Sequence, residues 1–147
     1  MRIISWNING IASKFEELRQ LVRSYDPDVV CLQKVRCNKQ RNLFGIDGYH
    51  MLYEPCDSGG WSGVMMYVRI LNERRCPESP SLPQRIPTPE LSRGGHLQVY
   101  DCRDFVLINA YVPFANFSIS GAVADRKQWD AAFRLFAQKV SRIKPVV

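Results

Sequence analysis

The chain has 147 residues, 46% hydrophobic and 11% aromatic, which is the size and apolar content of one ordinary folded domain. Extended disorder is excluded over most of it, and no apolar run approaches the roughly 20 residues a bilayer span needs, so a soluble, intracellular protein with no membrane partner is expected. Lysine and arginine outnumber aspartate and glutamate by 20 to 14, for a formal charge of +6, which suits a polyanionic partner and equally a merely solvated surface.

Arg2-Ile3-Ile4-Ser5-Trp6 is short, apolar and β-branched and stops at Asn7-Ile8-Asn9-Gly10, a strand running into a loop. Phe15, Leu18, Leu21, Val22 and Tyr25 then recur at helical spacing until Asp26-Pro27-Asp28, where proline disfavours helix in the residue before it. Val29-Val30-Cys31-Leu32 is a continuous apolar run too short for a helix and predicts the second strand of a βαβ unit. Parallel strands joined by a crossover helix end on the same sheet edge, so Asn7 and Gln33-Lys34 are expected side by side, on the edge where α/β proteins bind ligands.

Tyr49 to Tyr53 and Gly63 to Val68 read as strands joined by the turn Asp57-Ser58-Gly59-Gly60. Five prolines between Cys76 and Pro89 (Pro77, Pro80, Pro83, Pro87, Pro89) remove donors and fix φ, predicting a surface excursion without regular structure. His96 to Tyr100 and Phe105 to Val112 form a second hairpin around Asp101-Cys102-Arg103-Asp104. Asp125 is placed to cap a final helix whose apolar stripe is Trp129, Ala132, Phe133, Phe136, Val140 and Ile143. Pro145-Val146-Val147 has the character of another buried strand just beginning. The five cysteines (Cys31, Cys37, Cys56, Cys76, Cys102) are odd in number and scattered, without a CxxC pair, and read as reduced thiols.

Five strings in order, Ile4-Ser5-Trp6-Asn7-Ile8-Asn9-Gly10, Pro27-Asp28-Val29-Val30-Cys31-Leu32-Gln33, Gly60-Trp61-Ser62-Gly63-Val64, Asn109-Ala110-Tyr111-Val112-Pro113, and Arg126 with Trp129, span nearly the whole chain. Together they resemble the exonuclease III and AP endonuclease branch of the endonuclease/exonuclease/phosphatase superfamily. The resemblance implies an α/β fold, half of a four-layer α/β sandwich made of a mixed β-sheet with two amphipathic helices. It places residues 1–147 in the N-terminal part of such a domain, and a cut before a GDxN motif and before the Asp and His that act in water activation is expected. The inner sheet face is then expected to be uncovered and to favour self-association.

The function implied for the intact parent is that of a DNA repair AP endonuclease or exodeoxyribonuclease III-type phosphodiesterase. It would hydrolyse the backbone of double-stranded DNA at abasic sites with Mg²⁺ (or Mn²⁺), which neutralises phosphate oxygens and stabilises the leaving alkoxide. The chain alone is expected to be inactive. The alternatives are a non-catalytic nucleic-acid-binding relative and a branch of the superfamily acting on small phosphoesters.

Carried over residue by residue, the resemblance makes Asn7 a metal-site and catalytic residue and Tyr111 a catalytic phenol facing the scissile phosphate; a turn at a strand end is the lesser reading of Asn7. Asn9, Arg36, Trp61 and Arg126 are the DNA-binding candidates, through backbone contacts or, for Trp61, stacking. For Trp129 core packing is favoured.

Position 34 departs from the pattern: Lys34 stands where the family has a metal-binding Glu. An ammonium has three donors and no acceptor and repels Mg²⁺. Two readings stay open: a decayed site with a solvated lysine, or an ammonium that takes the metal's place against a phosphate. Ala12, His96 and Phe114 also replace an arginine, an arginine and a polar amide of the pattern, and neither His50 nor His96 forms a dyad recognisable from spacing.

Overall fold

The computed structural model describes residues 1–37, 41–56, 62–70, 84–85, 94–102, 104–115, 118 and 120–147. Strand β1 (Ile3–Asn7), helix α1 (Ile11–Tyr25) and strand β2 (Val29–Gln33) form the expected βαβ unit, β1 and β2 pairing in parallel from Ile3 opposite Val29 to Asn7 opposite Gln33. Helix α1 ends at Asp26, in the left-handed region at φ 44°, whose N–H closes on the Val22 carbonyl; Pro27 follows and prevents continuation.

Strands β3 (Tyr49–Glu54) and β4 (Val64–Arg69) pair antiparallel, and β4 also pairs antiparallel with β2, giving a mixed sheet in the order β1-β2-β4-β3. The turn expected at Asp57 to Gly60 lies outside the described residues. Strands β6 (Leu97–Asp101) and β7 (Val106–Ala110) form the second expected hairpin. Within the proline-rich stretch the described residues Gln84–Arg85 form a short strand β5 against Tyr100 and Asp101, correcting the expectation of no regular structure there. Gln84 and Arg85 are not prolines and keep the main-chain donors that such pairing needs.

The strands thus form two sheets rather than one. Alternation explains the layering: Val30 and Leu32 of β2, with Met65 and Tyr67 of β4, point to Ile11, Leu18 and Val22 of α1. Their neighbours Val29, Cys31 and Met66 point the other way, onto Tyr100 and Leu107 of the second sheet. On the far side Leu97, Val99 and Val106 meet Trp129, Ala132, Phe133, Phe136 and Val140 of helix α2 (Ala122–Ser141). The layers run α1, first sheet, second sheet, α2. The expectation of an uncovered inner face is therefore corrected, since the second sheet covers it; among the described residues the first sheet has β1 and β3 as its outer strands.

Helix α2 begins three residues before the expected cap. Gly121, at φ 84°, turns the chain into it, and Asp125 sits in the first turn, where its charge favours the helix dipole without capping it. Ile143 lies past the helix end and is exposed, so the stripe stops at Val140. The strand start at the C-terminus is present: Val146 bridges Val106 in parallel, with Val106 N–H to Pro145 O at 2.8 Å and Ile108 N–H to Val147 O at 2.9 Å. Among the described residues no helix is long and apolar enough to cross a membrane.

Candidate functional site

The alternation that builds the inter-sheet layer also puts polar residues into it. Gln33 follows Val29 and Cys31 on the inward face of β2, Asn109 follows Leu107 on that of β7, and Gln98 shares a face with Tyr100 on β6. They bond to one another. Gln33 Nε2 donates to Asn109 Oδ1 at 2.8 Å and to Ser5 Oγ at 3.0 Å, and Asn109 Nδ2 lies 3.1–3.2 Å from Leu32 O, Met65 O and Gln98 Oε1. Gln98 Nε2 closes the chain on Leu52 O at 3.0 Å. Asn109 is 1% exposed, and a buried amide is tolerated only when bonded in this way. A cavity of about 330 Å³ beside the network is lined by Ile3, Ser5, Cys31, Gln33, Asn109 and Val147. Cys31, on its wall, has its thiol pushed up to about 12 by burial and then by Cys102, which makes it a poor nucleophile; Cys31, Cys37, Cys56 and Cys102 are free thiols.

The Gln33–Asn109 bond has a geometric consequence. It fastens the C-terminal end of β2 to the C-terminal end of β7, so Lys34, one residue beyond Gln33, and Tyr111, two beyond Asn109, leave the sheets at the same edge. Asn7 is there too, opposite Gln33 in the ladder, and on the same alternation as Ile3 and Ser5 it continues the inward face of β1. The register sets Asn7 beside Gln33, so Asn7 and Lys34 lie at the same end of the first sheet.

Main-chain bonds sew the loops of this edge together. Ile8 N–H reaches Gln33 O at 3.1 Å, Gly10 N–H reaches Lys34 O at 2.9 Å, and Ile11 N–H reaches Val35 O at 2.9 Å. Val35 N–H reaches Gly63 O at 3.0 Å, Arg36 N–H reaches Ser62 O at 2.9 Å, and the buried Ser62 hydroxyl donates to Gly94 O. Gly95, at φ 67°, lies so near Pro55 that an added Cβ would sit 2.5 Å from the Pro55 carbonyl oxygen. Asn9 (φ 51°), Lys34 (φ 56°) and Arg36 (φ 53°) all hold left-handed backbone on this edge, a conformation costing a non-glycine residue roughly 1–2 kcal/mol. Such strain persists where surrounding bonds over-determine it, and it gathers at functional sites.

His96 stands against Tyr111. Their rings are stacked with centroids 5.7 Å apart and planes 17° from parallel, His96 Nδ1 lies 2.7 Å from Tyr111 O, and Tyr111 N–H donates to His96 O at 2.8 Å. A carbonyl only accepts, so Nδ1 carries the proton and the neutral ring presents Nε2 as an acceptor. Burial lowers the His96 pKa, and the bond to Tyr111 opposes that in part. Spacing did not reveal this pair, because its partners lie 15 residues apart and meet only across the β6–β7 ladder.

The remaining candidates divide. Asn7, Asn9 and Arg36 are exposed, and Lys34 is half-buried. Arg126 ion-pairs with Asp130 at 2.8 Å and donates to Pro113 O at 3.1 Å, tying α2 to the segment after Tyr111, where Phe114 is 78% exposed. Trp129 is stacked on Phe133 at 5.0 Å in the α2 layer, the core role expected of it. Trp61 lies outside the described residues. Sequence reasoning passed over Gln33, Gln98 and Asn109 as site-builders; the available signal was a polar amide within strands otherwise apolar on that face.

The Mg²⁺ implied by the resemblance needs hard oxygen ligands, normally including carboxylate. This edge offers the amide oxygens of Asn7 and Asn9 and the Tyr111 phenol, with an ammonium at position 34, and no cluster of three His, Cys, Asp or Glu suited to a metal occurs among the described residues. The donor set does not fit a divalent cation.

Two β-sheets face to face, each backed by a helix, define a four-layer α/β sandwich with the candidate site at its strand ends. Residues 4–147 match the Endonuclease/Exonuclease/phosphatase family, and the chain belongs to that family. All of it aligns, at 28% identity over 151 residues, with 21% of Recombination repair protein 1 of Drosophila melanogaster, and at 30% over 153 residues with 47% of the DNA repair nuclease APEX1 of Danio rerio. A solved structure of a Neisseria 3' phosphatase, NExo, bound to product DNA hairpin shares the fold at a TM-score of 0.77 and 19% identity, over 98% of this chain and 54% of that one. The chain spans about half or less of the length of these relatives.

Proposed function

We propose that this chain is the backbone-contacting half of a DNA repair phosphodiesterase of AP endonuclease and exodeoxyribonuclease type, with abasic double-stranded DNA as the substrate of the whole protein, and that alone it binds DNA without cleaving it. The observation that carries the reading is the Gln33–Asn109 bond at 2.8 Å, which gathers Asn7, Lys34 and Tyr111 on one edge. Asn7 and Asn9 amides would hold phosphate oxygens, and the Tyr111 phenol would donate to negative charge there, its ring held by His96. Arg36 and the excess of basic residues would add backbone contacts, and Arg126 would act by fixing the Pro113 segment. Metal-assisted hydrolysis is what the resemblance implies for the whole protein, and Lys34 in place of the ligand Glu removes a carboxylate from such a site.

The second reading, a non-catalytic nucleic-acid-binding relative, is favoured by the same lysine. A nicking assay with an abasic-site duplex, an intact duplex and a small phosphate diester, each with Mg²⁺, tests both. The 147-residue chain is expected to leave all three uncut while shifting the abasic duplex in a gel. Cleavage of the abasic duplex by the chain alone would refute the non-cleaving reading, and turnover of the small ester alone would assign the chain to the small-phosphoester branch.

A further inference from the structure

We infer that the Lys34 ammonium does the work that the family resemblance assigns to a divalent cation, holding a single phosphodiester at this edge without metal. The inference rests on the reading of the edge as a DNA-backbone site and deepens it. Three observations support it.

Lys34 is placed by the fold and not by chance of a mobile surface. Its carbonyl is held by Gly10 N–H at 2.9 Å, and the next residue is held by Gly63 O at 3.0 Å. The chain keeps a long side chain at φ 56°, where glycine would sit without strain.

The ammonium is also unclaimed. Among the described residues it has no carboxylate partner, whereas Lys14 pairs with Glu17 at 2.9 Å and Lys144 with Asp101 at 2.5 Å. The amides of Asn7 and Asn9 and the Tyr111 hydroxyl, on the same edge, likewise have no hydrogen-bond partner among the described residues.

Finally, the charges match. A backbone diester carries one negative charge, which one ammonium neutralises, while the amides and phenol complete its hydrogen bonds. A divalent ion on the same spot would meet a like charge, with no cluster of three His, Cys, Asp or Glu among the described residues to offset it.

The test is fluorescence anisotropy of a labelled abasic-site duplex with the 147-residue chain at fixed salt, in EDTA and in Mg²⁺, for wild type, Lys34→Gly and Lys34→Glu. Glycine suits the left-handed backbone, so Lys34→Gly keeps the fold while removing the charge. The wild type is expected to bind within about twofold in the two buffers, with Lys34→Gly weaker by about tenfold in both and Lys34→Glu showing no binding in EDTA. Loss of wild-type binding on chelation, or Lys34→Gly binding like wild type, would overturn the inference. A parallel titration with dimethyl phosphate, read at the Val35 amide by ¹H–¹⁵N NMR, separates the two levels. A shift in wild type and not in Lys34→Gly, with no duplex binding, leaves the lysine site standing and removes the DNA reading; no shift and no duplex binding removes both.

Discussion

Asn109, on the second sheet, accepts a 2.8 Å hydrogen bond from Gln33, on the first, and through it two sheets with no strand in common are held in register at the edge that carries the candidate site. Asn109→Ala leaves Leu32 O, Met65 O, Gln98 Oε1 and the Gln33 amide short of a partner in a buried layer. Loss of about 2–3 kcal/mol of stability is expected, read as a lower midpoint in urea denaturation. A variant as stable as wild type would show that water replaces the amide at no cost.

Gly95→Ala is a second stability prediction with a different cause. The alanine would have to hold φ 67° with its Cβ 2.5 Å from the Pro55 carbonyl oxygen, and the three nearest atoms are all Pro55–Cys56 backbone, with no flexible side-chain end to yield. A destabilisation of about 2 kcal/mol or more is expected by thermal unfolding, together with weaker duplex binding, because Gly94–His96 positions Tyr111. Gly45→Ala, where an added Cβ meets nothing within 4 Å, serves as the control.

The His96 ring gives stability a pH dependence of definite sign. Its folded pKa is below the ordinary value, chiefly through burial, so between the two values the unfolded chain binds more protons than the folded one. Its contribution is fully present above about pH 6.5 and declines as pH falls through the lowered folded value. Denaturation midpoints measured at several pH values should fall less steeply on acidification for His96→Gln than for wild type. Equal slopes would mean that the imidazole charges without penalty where it stands.

The strand ends that carry the candidate site were legible because their determinants are local. Asp26-Pro27 ends α1, the four apolar residues from Val29 are too few for a helix, and a parallel βαβ unit then places Asn7 beside Gln33-Lys34. The division into two sheets was not legible, since both hairpins carry a largely apolar strand, β4 in one and β7 in the other, and nothing within either says which sheet it joins. The start of α2 was misplaced because Asp125 has the chemistry of a cap, while the turn is made by Gly121, which needs only its backbone freedom. His96 and Tyr111 escaped notice because ladder register, not spacing, brings them together.

The central claim is that the edge carrying Asn7, Lys34 and Tyr111 is where DNA binds. Titrating an unlabelled abasic-site duplex into the ¹⁵N-labelled chain and mapping the amide shifts by ¹H–¹⁵N NMR tests it most directly. The largest shifts are expected at Asn7, Asn9, Lys34, Arg36 and Tyr111. Shifts confined to the exposed face of α2, or to the opposite end where Arg69 pairs with Asp26 at 2.6 Å, would contradict it.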